Sequence, residues 1–333
     1  MLQTKGYKVI KKWLAQKQRQ PFSFQQQTWE EILKGNSGLV NAPTGYGKTY
    51  SVFLGALIQY INNNPVDYLT KKNNGLQLIW ITPLRALAKD IARAMEEVIA
   101  ELDLQWQVGI RNGDTTTNER ARQKRHLPEV LIITPESLHL LIAQKDYPNI
   151  FKQLKIIAVD EWHELLGSKR GVQVELAISR LVGLNKKSLV KGHESLEESY
   201  ELEKTKIHQL SIWGISATIG NLEEAKEVLL AALSMLSTTA KSSDTVIIRA
   251  VNSKKIKIES IIPEEIEKYP WAGHLGIKLA HRVLPIINQH QTTLIFINTR
   301  GMSESWYQQL LAIAPELSGV LALHHGSIEQ DLR

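Results

Sequence analysis

Four short runs of mostly apolar residues, LQLIWIT (76–82), EVLIIT (129–134), LKIIAV (154–159) and LSIWGIS (210–216), are separated by longer stretches in which apolar residues recur every three or four positions. The short runs predict strands buried on both faces, and the stretches between them predict helices; that alternation predicts a parallel α/β sheet. In PLRALAKDIARAMEEVI (83–99), Leu84, Leu87, Ile91, Met95 and Val98 share one helical face, and TTNERARQKRHL opens with Thr116 three residues before Glu119, a capping-box pattern. Residues 185–206 are polar, mixed in charge and weakly patterned, which predicts a surface insertion or a mobile helical loop.

After the helix-like NLEEAKEVLLAALSML (221–236), the small polar run STTAKSSD (237–244) reads as a linker, with new strands expected at TVIIRA (245–250) and KIKIESII (255–262). The expected domains are therefore 1–240 and 254–333, the boundary lying between them. For the second, the pattern predicts a helix over about 273–289, a strand at TTLIFIN (292–298), a helix through SESWYQQLLAI and a strand at GVLALHH (319–325). About 80 residues is short beside the usual ~100–150 of a domain, so this unit reads as incomplete.

Composition changes this picture little. The 333 residues are 43% hydrophobic, with 40 Lys and Arg against 34 Asp and Glu, a mild cationic excess that admits a polyanionic partner without requiring one. Cys is absent, which excludes disulfides and thiolate metal ligands. No apolar run of signal-peptide type opens the chain and none approaches the roughly 20 residues of a membrane span, so a soluble, cytoplasmic protein is expected.

The candidate chemistry begins at NAPTGYGKTY, where a strand-like GLV precedes and a helix-like YSVFLGALIQYI follows. Thr44, Gly45, Tyr46, Gly47, Lys48 and Thr49 fit a phosphate-binding loop: backbone amides around the phosphates, Lys48 for the outer phosphates and the Thr49 hydroxyl for Mg²⁺. The first glycine of the general pattern is Ala42 here. Downstream, the apolar IIAV ends in Asp160 and Glu161. In phosphate-loop enzymes such a strand end supplies an Asp that holds Mg²⁺ and a following Glu that takes a proton from water, with His163 close by.

With these stretches in place the chain resembles the superfamily 2 helicases of the DEXH type. Gln25 in FSFQQQTWEEI matches their adenine-reading glutamine. TPLRALA (82–88), GD (113–114) and TPESL (134–138) look like loops that hold a nucleic-acid backbone. SAT (216–218) matches the motif that couples ATP state to domain movement through Ser216, Ala217 and Thr218. DEWHEL with KRG (169–171), PWAGHLG (270–276), FINTRGMSESWYQQLL (296–311) and LHHGS (323–327) resemble the large helicase-related group, and within it the ligase-associated DEXH-box helicases.

The resemblance implies tandem RecA-like α/β domains, the second incomplete, with ATP and Mg²⁺ as cofactors. It implies a 3′-to-5′ DNA helicase of bacterial repair acting on single-stranded and 3′-tailed duplex DNA, associated with a DNA ligase and a nuclease. Thr82, Arg85, Thr134 and Glu136, directly after strands, and Thr299, Arg300, His325, Gly326 and Ser327 in the second domain are the expected nucleic-acid contacts. Trp162 and the aromatics of WYQQLL are expected to pack rather than stack on bases. The family's later threonine- and arginine-bearing motifs do not occur before Arg333, so ATP binding with weak hydrolysis and no unwinding is expected of these 333 residues. Three other readings remain open at this level: an RNA helicase, an ATP-gated non-catalytic nucleic-acid-binding module, and a motor subunit of a restriction or remodelling complex.

Overall fold

The computed structural model describes residues 3–193, 210–234, 245–251, 257–262 and 275–324. They divide into two compact units, Met1–Ser253 and Lys254–Arg333.

The first unit opens with helices α1 (Lys5–Gln16) and α2 (Ser23–Lys34), followed by strand β1 (Ser37–Asn41) and helix α3 (Lys48–Asn63). Then come β2 (Leu78–Ile81), α4 (Arg85–Glu101), β3 (Val108–Arg111), α5 (Thr117–Arg125), β4 (Val130–Ile133), α6 (Pro135–Ile142) and α7 (Tyr147–Ile150). The unit continues through β5 (Ile156–Val159), α8 (Trp162–Leu165), α9 (Lys169–His193), β6 (Ser211–Ser216), α10 (Leu222–Ser234) and β7 (Thr245–Arg249). All strand pairs are parallel, in the order β3-β4-β2-β5-β6-β1-β7.

Because side chains alternate across a strand, each apolar run supplies both faces of the sheet. Val40, Leu78, Trp80, Val130, Ile132, Ile156, Ala158, Trp213 and Ile215 enter one core with residues of α1 to α4. Their neighbours Leu39, Ile79, Ile81, Leu131, Ile133, Ile157, Val159 and Ile212 enter a second core with residues of α6, α9 and α10. Near-complete burial of both faces is why these strands read as continuous apolar runs.

Three features differ from the sequence pattern. Strand β7, expected beyond the linker in the boundary between the two domains, pairs with β1 from Ser37↔Thr245 to Asn41↔Arg249 and lies at the edge of the first sheet. Strand β3 had no apolar run to announce it, because it is an edge strand of four residues containing Gly109 and only Arg111 is buried. Residues 185–193 continue α9 to His193 instead of leaving it.

In the second unit the described helices are α11 (Leu275–Lys278), α12 (Ala280–Gln289) and α13 (Arg300–Ile313). Ala280, Trp306 and Leu310 form its small core, against which Ile295 and Ile297 pack. The strands expected at 292–298 and 319–325 are not formed among the described residues, and neither is one within 257–262. A strand exists only through pairing. Leu294 and Phe296, 76% and 90% exposed, have no layer over them among the described residues.

Candidate nucleotide and nucleic-acid site

Parallel strands deliver all their following loops to one edge of the sheet, where ligands of open α/β folds bind. The order β5-β6-β1 brings three of those loops side by side. At β1 the backbone leaves the strand, turns through left-handed Gly45 (φ 82°) and Gly47 (φ 70°), and enters α3 at Lys48. Only glycine adopts such angles without strain, so amides along the turn face the helix N-terminus that attracts an anion. Lys48 is buried and its ammonium has no hydrogen-bond partner among the described residues. A buried cation without an acceptor at the mouth of an anion-binding turn fits the phosphates of a nucleotide.

Gln25 holds this loop from the side. Its Oε1 accepts from the Phe22 amide (2.9 Å) and its Nε2 donates to the Gly47 carbonyl (3.0 Å), so both ends of the buried amide are engaged. Phe22, which sequence reasoning passed over, stands half-exposed with its ring 5.7 Å from that of Tyr46, a surface on which a flat heterocycle can rest. Its signal was an aromatic residue immediately before a helix start. Thr44 and Gly45 are exposed and Thr49 is half-buried in the first turn of α3.

Asp160 follows β5 and is buried. Burial and the adjacent Glu161 carboxylate push it up to about 6, while hydrogen bonds from the Trp80 indole and the Glu161 amide and the charge of Lys48 act in the opposite direction. The Trp80 Nε1 to Asp160 Oδ2 distance is 3.3 Å. Sequence patterning assigned Trp80 to the core and missed this donor. Glu161 sits at φ 46°, ψ 47°, a left-handed conformation that costs a non-glycine residue about 1–3 kcal/mol.

A cation would relieve two carboxylates held this way, and Thr49 and Asp160 fit Mg²⁺. Among the described residues no cluster of three or more His, Asp or Glu side chains is placed to hold a metal by itself. Bound there, Mg²⁺ would neutralise charge on the phosphates.

His163 Nδ1 lies 3.0 Å from the Ser216 hydroxyl and 3.4 Å from the Glu161 carboxylate, so β6 reaches the acidic pair directly. From its other flank, β6 meets the phosphate loop. The Ala42 amide donates to the Ser216 carbonyl (3.1 Å), and Asn41 Nδ2 donates to the Ala217 carbonyl (3.0 Å). Ser216 thus bonds both Ala42 at the start of the glycine turn and His163 beside Glu161, Ala217 is held by Asn41, and Thr218 follows in the loop. Trp162 is fully buried and its Nε1 donates to the Ala225 carbonyl at 2.9 Å, a packing role.

Beyond β5, the loops after β2, β4 and β3 carry the remaining expected contacts. Arg85 starts α4 and pairs with Asp114 at 3.0 Å, both side chains largely exposed. Thr82 is fully buried and its hydroxyl is without a partner, and buried Thr134 bonds Ser137 at 3.1 Å. Neither hydroxyl lies on the surface as the sequence pattern expected, and the amides of both are engaged within the sheet, Thr82 donating to the Ile133 carbonyl (3.0 Å) and Thr134 to the Arg111 carbonyl (3.3 Å). Glu136 faces Arg170, at 2.7 Å from its Nε. In the second unit Thr299 caps α13 by accepting from the Met302 amide, and Arg300 pairs with Glu304 at 3.0 Å. His325, Gly326 and Ser327 lie outside the described residues.

The family model described as DEAD/DEAH box helicase matches residues 22–227, a span that includes the phosphate loop, the acidic pair and Ser216 to Thr218. The chain is 31% identical to ATP-dependent helicase Lhr-Core protein 2 of Thermococcus barophilus, over 91% of this chain and 33% of that protein. It is 28% identical to ATP-dependent helicase Lhr-Core of Methanocaldococcus jannaschii, over 98% of this chain and 35% of that protein. The chain spans about a third of the length of these relatives. Among solved structures, that of Mycobacterium smegmatis helicase Lhr bound to ssDNA and AMP-PNP aligns at a TM-score of 0.65 and 26% identity, covering 98% of this chain and 38% of that one.

Proposed function

As the chain belongs to the DEAD/DEAH box helicase family, we propose that it is the ATP-binding motor portion of an Lhr-like, ATP-dependent DNA helicase or translocase. The observation that carries this reading is the meeting of Lys48, without an acceptor, with the buried Asp160 and strained Glu161 across three adjacent strand ends. Lys48 and the loop amides hold the phosphates of ATP, Gln25 and Phe22 border the adenine, and Thr49 and Asp160 hold Mg²⁺. Glu161 accepts a proton from the attacking water. His163 and Ser216 link that water-activating group to the phosphate loop through Ala217 and Asn41. Thr218 belongs to the same link.

A single DNA strand follows the loops after β2, β3 and β4, chiefly through backbone amides and Arg85, which reads no sequence. The relative solved with ssDNA and AMP-PNP supports both ligands for this site. Thr299, Arg300, His325 and Ser327 supply further contacts from the second unit. The groups described around Lys48 and Asp160 include no arginine, which supports weak hydrolysis by these 333 residues alone. We place the protein in the cytoplasm, moving 3′-to-5′ in DNA repair on single-stranded or 3′-tailed substrates, in company with a ligase and a nuclease as in the ligase-associated DEXH-box helicases. Among the described residues no helix is long and apolar enough to cross a membrane.

Fluorescence anisotropy with matched oligo-dT and oligo-U, with and without AMP-PNP and Mg²⁺, tests this reading. Tighter binding of DNA that weakens steeply with salt is expected. Equal affinity for the two sugars favours an RNA helicase, and failure to bind either strand overturns the motor assignment.

A further inference from the structure

Arg170 makes contacts that no nucleotide or phosphate role explains. It lies in the first turn of α9, ten residues beyond Asp160. Its Nε and Nη2 donate to the two oxygens of Glu136 at 2.7 and 3.3 Å, and its Nη1 donates to the Pro83 carbonyl at 2.9 Å. One guanidinium therefore ties the loop after β2 to the loop after β4, two strands adjacent in the sheet. The fork geometry of arginine suits a bidentate carboxylate plus a third acceptor, which an ammonium cannot reproduce.

The short path from Glu161 to Arg170 is itself well held. From the left-handed Glu161 the chain makes one turn of α8, passes Gly167 at φ 71°, and enters α9 capped by Ser168, whose hydroxyl donates to the Leu165 carbonyl (2.6 Å) and accepts from the Gly171 amide (3.1 Å). Gly171 packs so closely that a Cβ there would stand 2.1 Å from the Leu165 carbonyl oxygen, so the first turn of α9 rests directly on the end of α8. His139 of α6 lies 2.7 Å from the Gln173 carbonyl and adds a second tie between α6 and α9.

We propose that Arg170 is a positioning residue through which the turn bearing Glu161 sets the spacing of the loops after β2 and β4, and so makes nucleic-acid affinity depend on nucleotide. Glu136 acts as the acceptor for Arg170, not as a contact to DNA, where its charge would repel phosphate. This rests on the reading that those loops hold the strand.

The test is oligo-dT affinity, by anisotropy, with and without AMP-PNP and Mg²⁺, for the unaltered protein and for Arg170→Ala, Arg170→Lys, Glu136→Gln and the Arg170→Ala/Glu136→Gln double variant, alongside AMP-PNP affinity for each. The ratio of the two DNA affinities is expected to collapse toward one in Arg170→Ala, to stay low in Arg170→Lys, and to fall no further in the double variant, with AMP-PNP affinity within about twofold of the parent as a check on folding. Glu136→Gln keeps an acceptor and is expected to retain part of the ratio. A ratio unchanged in Arg170→Ala overturns the proposal. So does restoration by Lys with a salt slope lowered by about one in Arg170→Ala, which marks a direct phosphate contact. An unaltered protein that binds oligo-dT equally with and without nucleotide overturns this proposal alone; one that binds no DNA overturns the functional reading as well.

Discussion

The two halves of the ligand-bearing sheet edge treat charge differently. At the ends of β5, β6 and β1 charges are only partly compensated: among the described residues Lys48 has no hydrogen-bond acceptor, and burial beside Glu161 pushes Asp160 up to about 6. At the ends of β2 and β4 the exposed charges are paired, Arg85 with Asp114 and Arg170 with Glu136, while the buried Arg111 that ends β3 meets the neutral Gln123 amide at 3.5 Å. In the function proposed above, the first half is completed by a ligand that brings anions and a cation, and the second holds a nucleic-acid strand. On that proposal, a site for a small charged molecule and a track for a polymer share one row of loops.

The sharpest way to test that contrast is at Glu161. Glu161→Gln removes the proton acceptor while keeping its shape, and is expected to lower ATP turnover by about 10²–10⁴-fold with AMP-PNP affinity unchanged, as read by steady-state hydrolysis and calorimetry. Near-normal turnover would move the base elsewhere. Lys48→Ala is expected to weaken AMP-PNP binding by roughly 10- to 100-fold, the equivalent of about 1.5–3 kcal/mol for a hydrogen bond to a charged group. An unchanged dissociation constant would remove the phosphate loop from the account.

Asp160→Asn should separate function from stability. The folded protein raises Asp160 from 3.8 to about 6, so its ionised form is disfavoured by folding. The resulting penalty is present in full above pH ~6, fades as pH falls toward the unfolded value, and is gone below it. In the absence of nucleotide and Mg²⁺, the Asn variant is expected to be more stable by up to about 3 kcal/mol at pH 8, with the gap closing near pH 4, as measured by denaturant unfolding across pH. A gap independent of pH would deny the unrelieved charge. The smallest effect belongs to the paired half: Arg85→Ala removes a mostly exposed ion pair and should change stability by less than about 1 kcal/mol. The same change should lower the salt slope of oligo-dT binding by about one. A loss of several kcal/mol would show that this half, too, depends on its charges.

Much of this molecule was legible from local pattern. The runs that became β2, β4, β5 and β6 are buried on both faces, and a run of apolar residues four to six long is a direct imprint of that burial. The glycines of the phosphate loop and the Asp-Glu step at a strand end were visible because their chemistry depends on neighbours in the chain. The failures have a common cause. β3 is a half-exposed edge strand, and β7 was separated from its partner β1 by about two hundred residues of chain, so its membership of the first sheet left no local trace. The pattern at 292–298 promised a strand whose pairing partner is absent among the described residues. Thr82 and Thr134 followed strands as expected, yet burial turned their hydroxyls inward.

The sequence alone therefore determined the α/β class, the strands buried on both faces, and the places of the glycine turn and the Asp-Glu step at strand ends, because periodicity, turn chemistry and strand-end position act over a few residues. Only the tertiary structure decided that β6 lies between β5 and β1, that the Trp80 indole reaches Asp160, that Asn41 holds Ala217, and that Arg170 fastens the loops after β2 and β4. Each of these joins residues between 34 and 176 positions apart, and such contacts are set by strand order and packing, which no local pattern encodes.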